Sequence, residues 1–97
     1  MPALLAATAD DLRELGRAKE ALPLAEQAER LLPSTADREV AANIHFTLAR
    51  TLWLAGKKPE RARARSLAEQ ARKGYRDIGK LAKTELAEVD AWLAKNR

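Results

Sequence analysis

A chain of 97 residues with a net charge of +4 and no cysteine is long enough for one small domain. The lack of cysteine excludes a disulfide framework and a thiolate metal site, and no apolar run approaches the ~20 residues that span a bilayer. Residues 1–9 are apolar but lack the basic segment of a signal peptide. These features predict a soluble, cytoplasmic protein without a membrane partner.

Alanine, leucine, glutamate, arginine and lysine dominate the composition, which favours helices throughout. The first predicted helix spans residues 3–15 and ends at Gly16, with one apolar side: Leu5, Leu12 and Leu15. The second, residues 17–32, contains Pro23, which predicts a local kink. Its buried positions recur at helical spacing: Ala21, Leu24, Ala25, Ala28 and Leu31 or Leu32.

A third helix is predicted after residues 33–35, where Pro-Ser-Thr interrupts the pattern. Ser34 or Thr35 is expected to cap this helix, with Asp37 in its first turn, and Gly56 is expected to end it. Its apolar positions recur every three or four residues, as in an amphipathic helix: Val40, Ile44, Leu48, Leu52 and Ala55.

The fourth predicted helix has Pro59 in its first turn, Gly74 as a weak point, and Gly79 after its end. Its expected buried residues are Ala64, Leu67, Ala68, Ala71, Tyr75 and Ile78. The fifth, residues 80–94, is expected to bury Ala82, Leu86, Val89 and Leu93, with Trp92 on its flank. Its acids, Glu85, Glu88 and Asp90, are expected to pair locally beside Lys83.

One short segment occurs twice. Residues 24–28, Leu-Ala-Glu-Gln-Ala, return as residues 67–71, and a spacing of about forty residues inside helices is typical of stacked helical repeats. Two helical hairpins followed by a single helix would form a short solenoid whose last apolar face is covered by a capping helix.

The first hairpin resembles the tetratricopeptide repeat (TPR), a helix–turn–helix unit with small residues at fixed positions and a proline at its end. The matching residues are Ala9, Leu12, Leu15, Gly16, Ala21, Ala25, Ala28 and Pro33. The second hairpin matches through Leu48, Ala49, Leu52, Ala64, Ala68 and Ala71. It departs from the family in its long turn, residues 56–62, in Arg76 at the proline site and in His45 at the early aromatic site.

This resemblance implies an all-α, right-handed helical-hairpin solenoid forming a single domain over residues 1–97. Its parts would be repeat one at about 2–33, repeat two at about 35–78 and a capping helix at about 80–95. The second half also resembles helical-repeat tails of large bacterial signalling proteins, including serine/threonine kinases.

The family resemblance further implies a protein–protein interaction module, because the first helices of successive repeats line a groove for a peptide or a partner helix. By position, that groove would be lined by Asp10, Arg13, Asn43, Phe46, Thr47, Arg50 and Trp53. Arginine and aromatic residues often dominate interface energetics. Alternatively, Phe46 and Trp53 pack against the first and fifth helices.

Charge is unevenly placed, since residues 57–76 are rich in lysine and arginine and contain only Glu60 and Glu69 as acids. The candidates for an anion-binding site there are Lys57, Lys58, Arg61, Arg65 and Arg72. No aromatic platform is interleaved with them, which disfavours nucleic acid as the partner. A solvated outer face is the competing interpretation.

No pattern in the chain predicts catalysis. His45 is the only histidine and is expected to be a partly buried packing residue, because one histidine without other strong ligands cannot hold zinc. Hydroxyls lie far from any base, and no glycine-rich phosphate loop is present. We therefore expect a non-catalytic interaction or scaffold module without metal or cofactor. A further alternative is a structural module that self-associates through an exposed first helix.

Overall fold

The computed structural model describes residues 2–97, and all regular structure in that range is helical, as predicted. The helices in chain order are α1 (Pro2–Glu14), α2 (Ala18–Arg30), α3 (Arg38–Ala55), α4 (Glu60–Ile78) and α5 (Lys83–Lys95), with a 3-10 turn at Lys80–Ala82. None of the helices within residues 2–97 combines the length and apolar character needed to cross a bilayer.

The start of α3 differs from the prediction that Ser34 or Thr35 caps it. Asp37 is the N-cap, and its carboxylate accepts a hydrogen bond from the backbone N–H of Glu39 at 2.8 Å. An aspartate at this position satisfies one unpaired donor of the first turn and places negative charge at the positive end of the helix dipole. The helix therefore starts where a charged cap is available.

The boundaries of α4 and α5 also shift from the predicted ones. Pro59 is the N-cap of α4 and not part of its first turn. Gly79 follows α4 with φ of 88°, a left-handed conformation that favours glycine. The chain then forms the 3-10 turn, so α5 begins at Lys83, one turn later than expected.

Helix α3 is the centre of the fold, because it packs against α1, α2 and α4. Its buried residues occupy most sides of the helix: Ala42, Ile44, Phe46, Thr47, Leu48, Ala49, Thr51 and Leu52. By contrast, α1 buries only Ala6 and Ala9 among its described residues. Helix α5 packs mainly on α4.

Small residues allow the neighbouring helices to approach closely. Both copies of the repeated segment bury the same pair of alanines, Ala25 and Ala28 in α2 and Ala68 and Ala71 in α4. Gly74 has the same role, since a Cβ at this position would lie only 3.1 Å from the Cβ of Ala42 in α3. The predicted weak point of α4 is therefore a site of tight contact between α3 and α4.

Some predicted core positions are not buried. Leu15 is 71% exposed, because α1 ends at Glu14 and Leu15 already belongs to the turn that leads to α2. Leu31 is exposed as well, and Leu32 packs against the core in its place. The predicted burial of Ala82 and Val89 in the C-terminal segment is confirmed.

We predict that Leu48→Ala destabilises the protein by about 2–5 kcal/mol, because it opens a cavity in the most enclosed helix. Leu48 is 0% exposed. The matched control is Leu54→Ala in the same helix, where the side chain is 63% exposed and the expected change is no more than about 0.5 kcal/mol. Urea unfolding followed by circular dichroism measures both. Equal losses in the two variants would show that α3 is not the centre of the core.

Candidate binding groove

A surface groove of about 260 Å³ lies where α1, α3 and the C-terminal helices meet. Helix α1 lines it with Ala3, Ala6, Ala7 and Asp10, and α3 with Val40, Asn43, Ile44, Phe46, Thr47 and Arg50. Tyr75 of α4 and Glu85 and Glu88 of α5 complete the lining. The predicted residues Asp10, Asn43, Phe46, Thr47 and Arg50 are thus brought together, whereas Arg13 and Trp53 lie outside the lining.

The Asp10 carboxylate holds one end of this groove together. Thr47 donates its hydroxyl to Asp10 Oδ2 at 3.0 Å, and Arg13 donates to Oδ1 at 3.3 Å. A guanidinium nitrogen of Arg50 lies 3.8 Å from the same Oδ1. Because Thr47 is buried, the bond to Asp10 satisfies a hydroxyl that would otherwise lose its hydration without compensation. The carboxylate therefore joins α1 to α3.

Arg50 is held against a ring as well as beside an acid. The carbon of its guanidinium lies 4.2 Å from the centroid of the Phe46 ring, a geometry in which cation and ring attract each other. Burial, and then the neighbouring Arg13, lower the pKa of Arg50. The guanidiniums of Arg13 and Arg50 both lie beside the carboxylate of Asp10. Their Nε atoms are buried and have no hydrogen-bond partner among residues 2–97.

The predicted aromatic pair packs against α5. Phe46 is only 4% exposed, and its ring meets that of Trp92 edge-on at a centroid distance of 6.1 Å. Trp53 meets the same Trp92 at 5.6 Å, also nearly perpendicular. Edge-to-face pairs of this kind stabilise a core beyond the area they bury. The sequence placed Trp92 on a flank, and in the structure it joins α5 to both aromatic residues of α3.

Tyr75 lies beneath the groove and was predicted only as a core residue. Its hydroxyl donates to Asn43 Oδ1 at 2.5 Å, and the residue is 2% exposed. Burial, followed by the charge of Glu85, raises the pKa of Tyr75 to about 12. A buried tyrosine normally finds a hydrogen-bond partner for its hydroxyl. The apolar spacing of α4 predicted that Tyr75 is buried, but it did not identify Asn43 as the partner.

The two acids that α5 brings to the groove were missed. They were expected to pair locally beside Lys83, but neither Glu85 nor Glu88 has an ion pair within 4 Å among the described residues; Asp90 pairs instead with Arg72, at 2.6 Å. Helical spacing indicates that Glu85 and Glu88 share a face. It does not indicate that this face borders α3.

The guanidiniums of α4 mostly have partners inside the chain. Arg61 stacks on Trp53 at 4.6 Å, Arg63 pairs with Glu26 at 2.8 Å, Arg65 donates to the carbonyls of Leu93 and Asn96, and Arg72 pairs with Asp90. The hydrogen bond from Arg63 lowers the pKa of Glu26. Lys57 and Lys58 are exposed in the turn before α4. Of the predicted anion-binding residues, Arg65 and Arg72 line one shallow depression that also contains Glu69 and Asp90, and both already have partners inside the chain.

His45 is half-buried on α3, and its burial lowers its pKa. It faces a shallow depression between α3 and α4, bordered also by Arg38 and Lys73. Residues 2–97 contain no cluster of three or more histidine, cysteine, aspartate or glutamate side chains placed to hold a metal ion. The position of His45 is that of a packing residue.

Comparison of the chain with protein-family models, with curated proteins and with solved structures gave no match. The groove therefore has to be interpreted from its own chemistry.

We predict that Tyr75, the only tyrosine of the chain, titrates with a midpoint of about 12 in the folded protein. Because this folded pKa is raised above the ordinary value of 10.0, the neutral phenol contributes its full stability below pH 10, and that contribution is lost as the pH rises from 10 to about 12. Phenolate absorbance near 295 nm measures the midpoint. The guanidinium-unfolded chain is the control, and a midpoint near 10 in the folded protein would contradict the buried geometry.

Proposed function

We propose that this protein is a non-catalytic, TPR-like interaction module that binds a peptide or a partner helix in the groove beside α1 and α3. The observation that carries the proposal is the groove itself: it opens where the first helices of the two hairpins lie side by side. As a module of this kind, the chain would serve as a scaffolding segment of a bacterial signalling protein in the cytoplasm.

Two contacts support a repeat arrangement of the hairpins. Asp10 in α1 bonds Thr47 in α3, and Glu26 in α2 pairs with Arg63 in α4. Both links join residues that are 37 positions apart. The first helix of one hairpin thus contacts the first helix of the other, and the second helix contacts the second, as is expected of successive units in a stack.

The lining of the groove suits an extended or helical segment. On the α1 side, Ala3, Ala6 and Ala7 leave room for a backbone to approach closely. On the α3 side, Asn43 is exposed, and its amide nitrogen donates to no described residue, so it is available to a carbonyl of the partner. Specific sites commonly combine an apolar wall with a few fixed polar groups of this type.

Two other functions were compatible with the sequence. Polyanion binding through α4 would require its arginines to exchange contacts they already make with Trp53, Leu93, Asn96 and Asp90, which supports the groove proposal over this alternative. Self-association near α1 is supported by two exposed leucines, Leu4 in α1 and Leu15 in the turn that follows it.

The groove proposal predicts that Ala7→Trp abolishes partner capture from a nuclease-treated bacterial lysate, because the indole would fill the groove. Ala62→Trp is the matched control, since Ala62 is also an exposed alanine within a helix but does not line the groove. Circular dichroism confirms that both variants fold. Equal retention of the same proteins by both variants would contradict binding in the groove.

The self-association candidate predicts a dimer at high micromolar concentration that the substitutions Leu4→Glu and Leu15→Glu dissociate, because they place charge on the exposed leucines. Multi-angle light scattering measures the molar mass of the native chain and of the substituted chain. A native chain that stays monomeric would eliminate this candidate.

A further inference from the structure

The groove has the opposite charge to the chain as a whole. The protein carries a net charge of +4, yet the ionisable residues that line the groove, apart from the phenol of Tyr75, are three carboxylates, Asp10, Glu85 and Glu88, against the single guanidinium of Arg50. A concave site with an excess of one sign of charge attracts ligands of the opposite sign and repels those of the same sign. The groove therefore carries more acidic than basic side chains, whereas α4 carries more basic than acidic ones.

We infer that the occupant of the groove is a basic segment of a partner protein, whose lysine or arginine side chain reaches Glu85 and Glu88. This inference rests on the function proposed above and specifies the chemistry of the partner.

Arg50 forms no ion pair with the two carboxylates of α5, although the charge of Glu88, like that of Asp10, opposes the lowering of the pKa of Arg50. Its guanidinium is committed at the other acid, 3.8 Å from Asp10, and lies on the Phe46 ring. Asp10 in turn is shared with Thr47 and Arg13. Within residues 2–97, no cation lies within 4 Å of Glu85 or Glu88. The negative charge that remains available to a ligand is thus at the α5 side of the groove.

Tyr75 borders the groove and responds to the same charges. After burial, the charge of Glu85 raises the pKa of Tyr75; the charge of Arg50 lowers it, and those of Glu88 and Asp10 raise it further. Three of the four charges that act on this phenol are negative, in agreement with the excess of carboxylates in the lining of the groove.

The shape of the groove fits a long basic side chain. The wall formed by Ala3, Ala6, Ala7 and Val40 is aliphatic, and lysine and arginine stems pack along such surfaces while their charged ends remain near water. Glu85 and Glu88 are one turn apart on the same helix, so both can approach one guanidinium or ammonium group. Exposed ion pairs alone are weak, so the stem contacts and the two carboxylates have to act together.

Other occupants fit less well. A nucleic acid or an acidic peptide would bring negative charge to a groove that is already negative. A second copy of this chain would have to offer exposed lysines such as Lys57 and Lys58, because most guanidiniums of α4 have partners within their own chain; the light-scattering measurement on the native chain distinguishes this case. A basic segment from another protein is the occupant that the charges favour.

The test uses three fluorescein-labelled, alanine-based helical peptides of equal length that carry arginine, glutamine or glutamate on one face. Fluorescence anisotropy measures their binding to the whole chain at low and at high salt. We expect the arginine peptide to bind most tightly, to weaken with salt, and to lose about tenfold in affinity, which is about 1.4 kcal/mol, on Glu85→Gln with Glu88→Gln.

The matched control is Glu60→Gln with Glu69→Gln, which changes the net charge equally at two exposed acids outside the groove and should leave binding unchanged. Equal binding of the arginine and glutamine peptides, no detectable binding of any peptide, or an equal loss in both double variants would overturn the inference. The proposed function fails separately: binding that survives Ala7→Trp does not use the groove, whatever its charge preference. Binding that Ala7→Trp removes without any preference for arginine overturns only the basic partner.

Discussion

The enclosure of α3 is the constraint on which the rest of the structure depends. A helix that is buried on most sides needs neighbours that can come close, and here α2 and α4 approach it through alanines and through Gly74, where any side chain would meet Ala42. Close packing of this type leaves few rearrangements open to the core. With those sides of α3 occupied, the strip of the helix between α1 and α5 is the part that lines the surface groove.

Helix α5 determines what that strip presents. Its Trp92 contacts both aromatic residues of α3. Phe46 is buried as a result, and Trp53 is partly buried. The same placement carries Glu85 and Glu88 to the edge of the groove. Helix α5 therefore covers aromatic side chains of α3 and adds two carboxylates to the lining of the groove.

Charge is organised by local pairing in this fold. The positive net charge of +4 suggests a basic binding surface, but Arg63 and Arg72 are paired with acids and Arg65 bonds to carbonyls at the end of α5. These contacts tie α4 to α2 and to α5. Guanidiniums that hold helices together are poor candidates for ligand contacts, because binding would have to replace bonds already made. The unpaired carboxylates at the groove carry no such penalty.

The sequence by itself determined the helical class, the approximate helix limits and the small-residue faces, because breakers and apolar spacing act within a few residues of the chain. It also brought Asp10, Asn43, Phe46, Thr47 and Arg50 into one candidate set through the family resemblance. Only the tertiary structure decided which of them line the groove, that Trp92 covers Phe46, and that Glu85 and Glu88 join the site. Those outcomes depend on how α5 packs against α3 and α4, a non-local arrangement that helical periodicity does not encode.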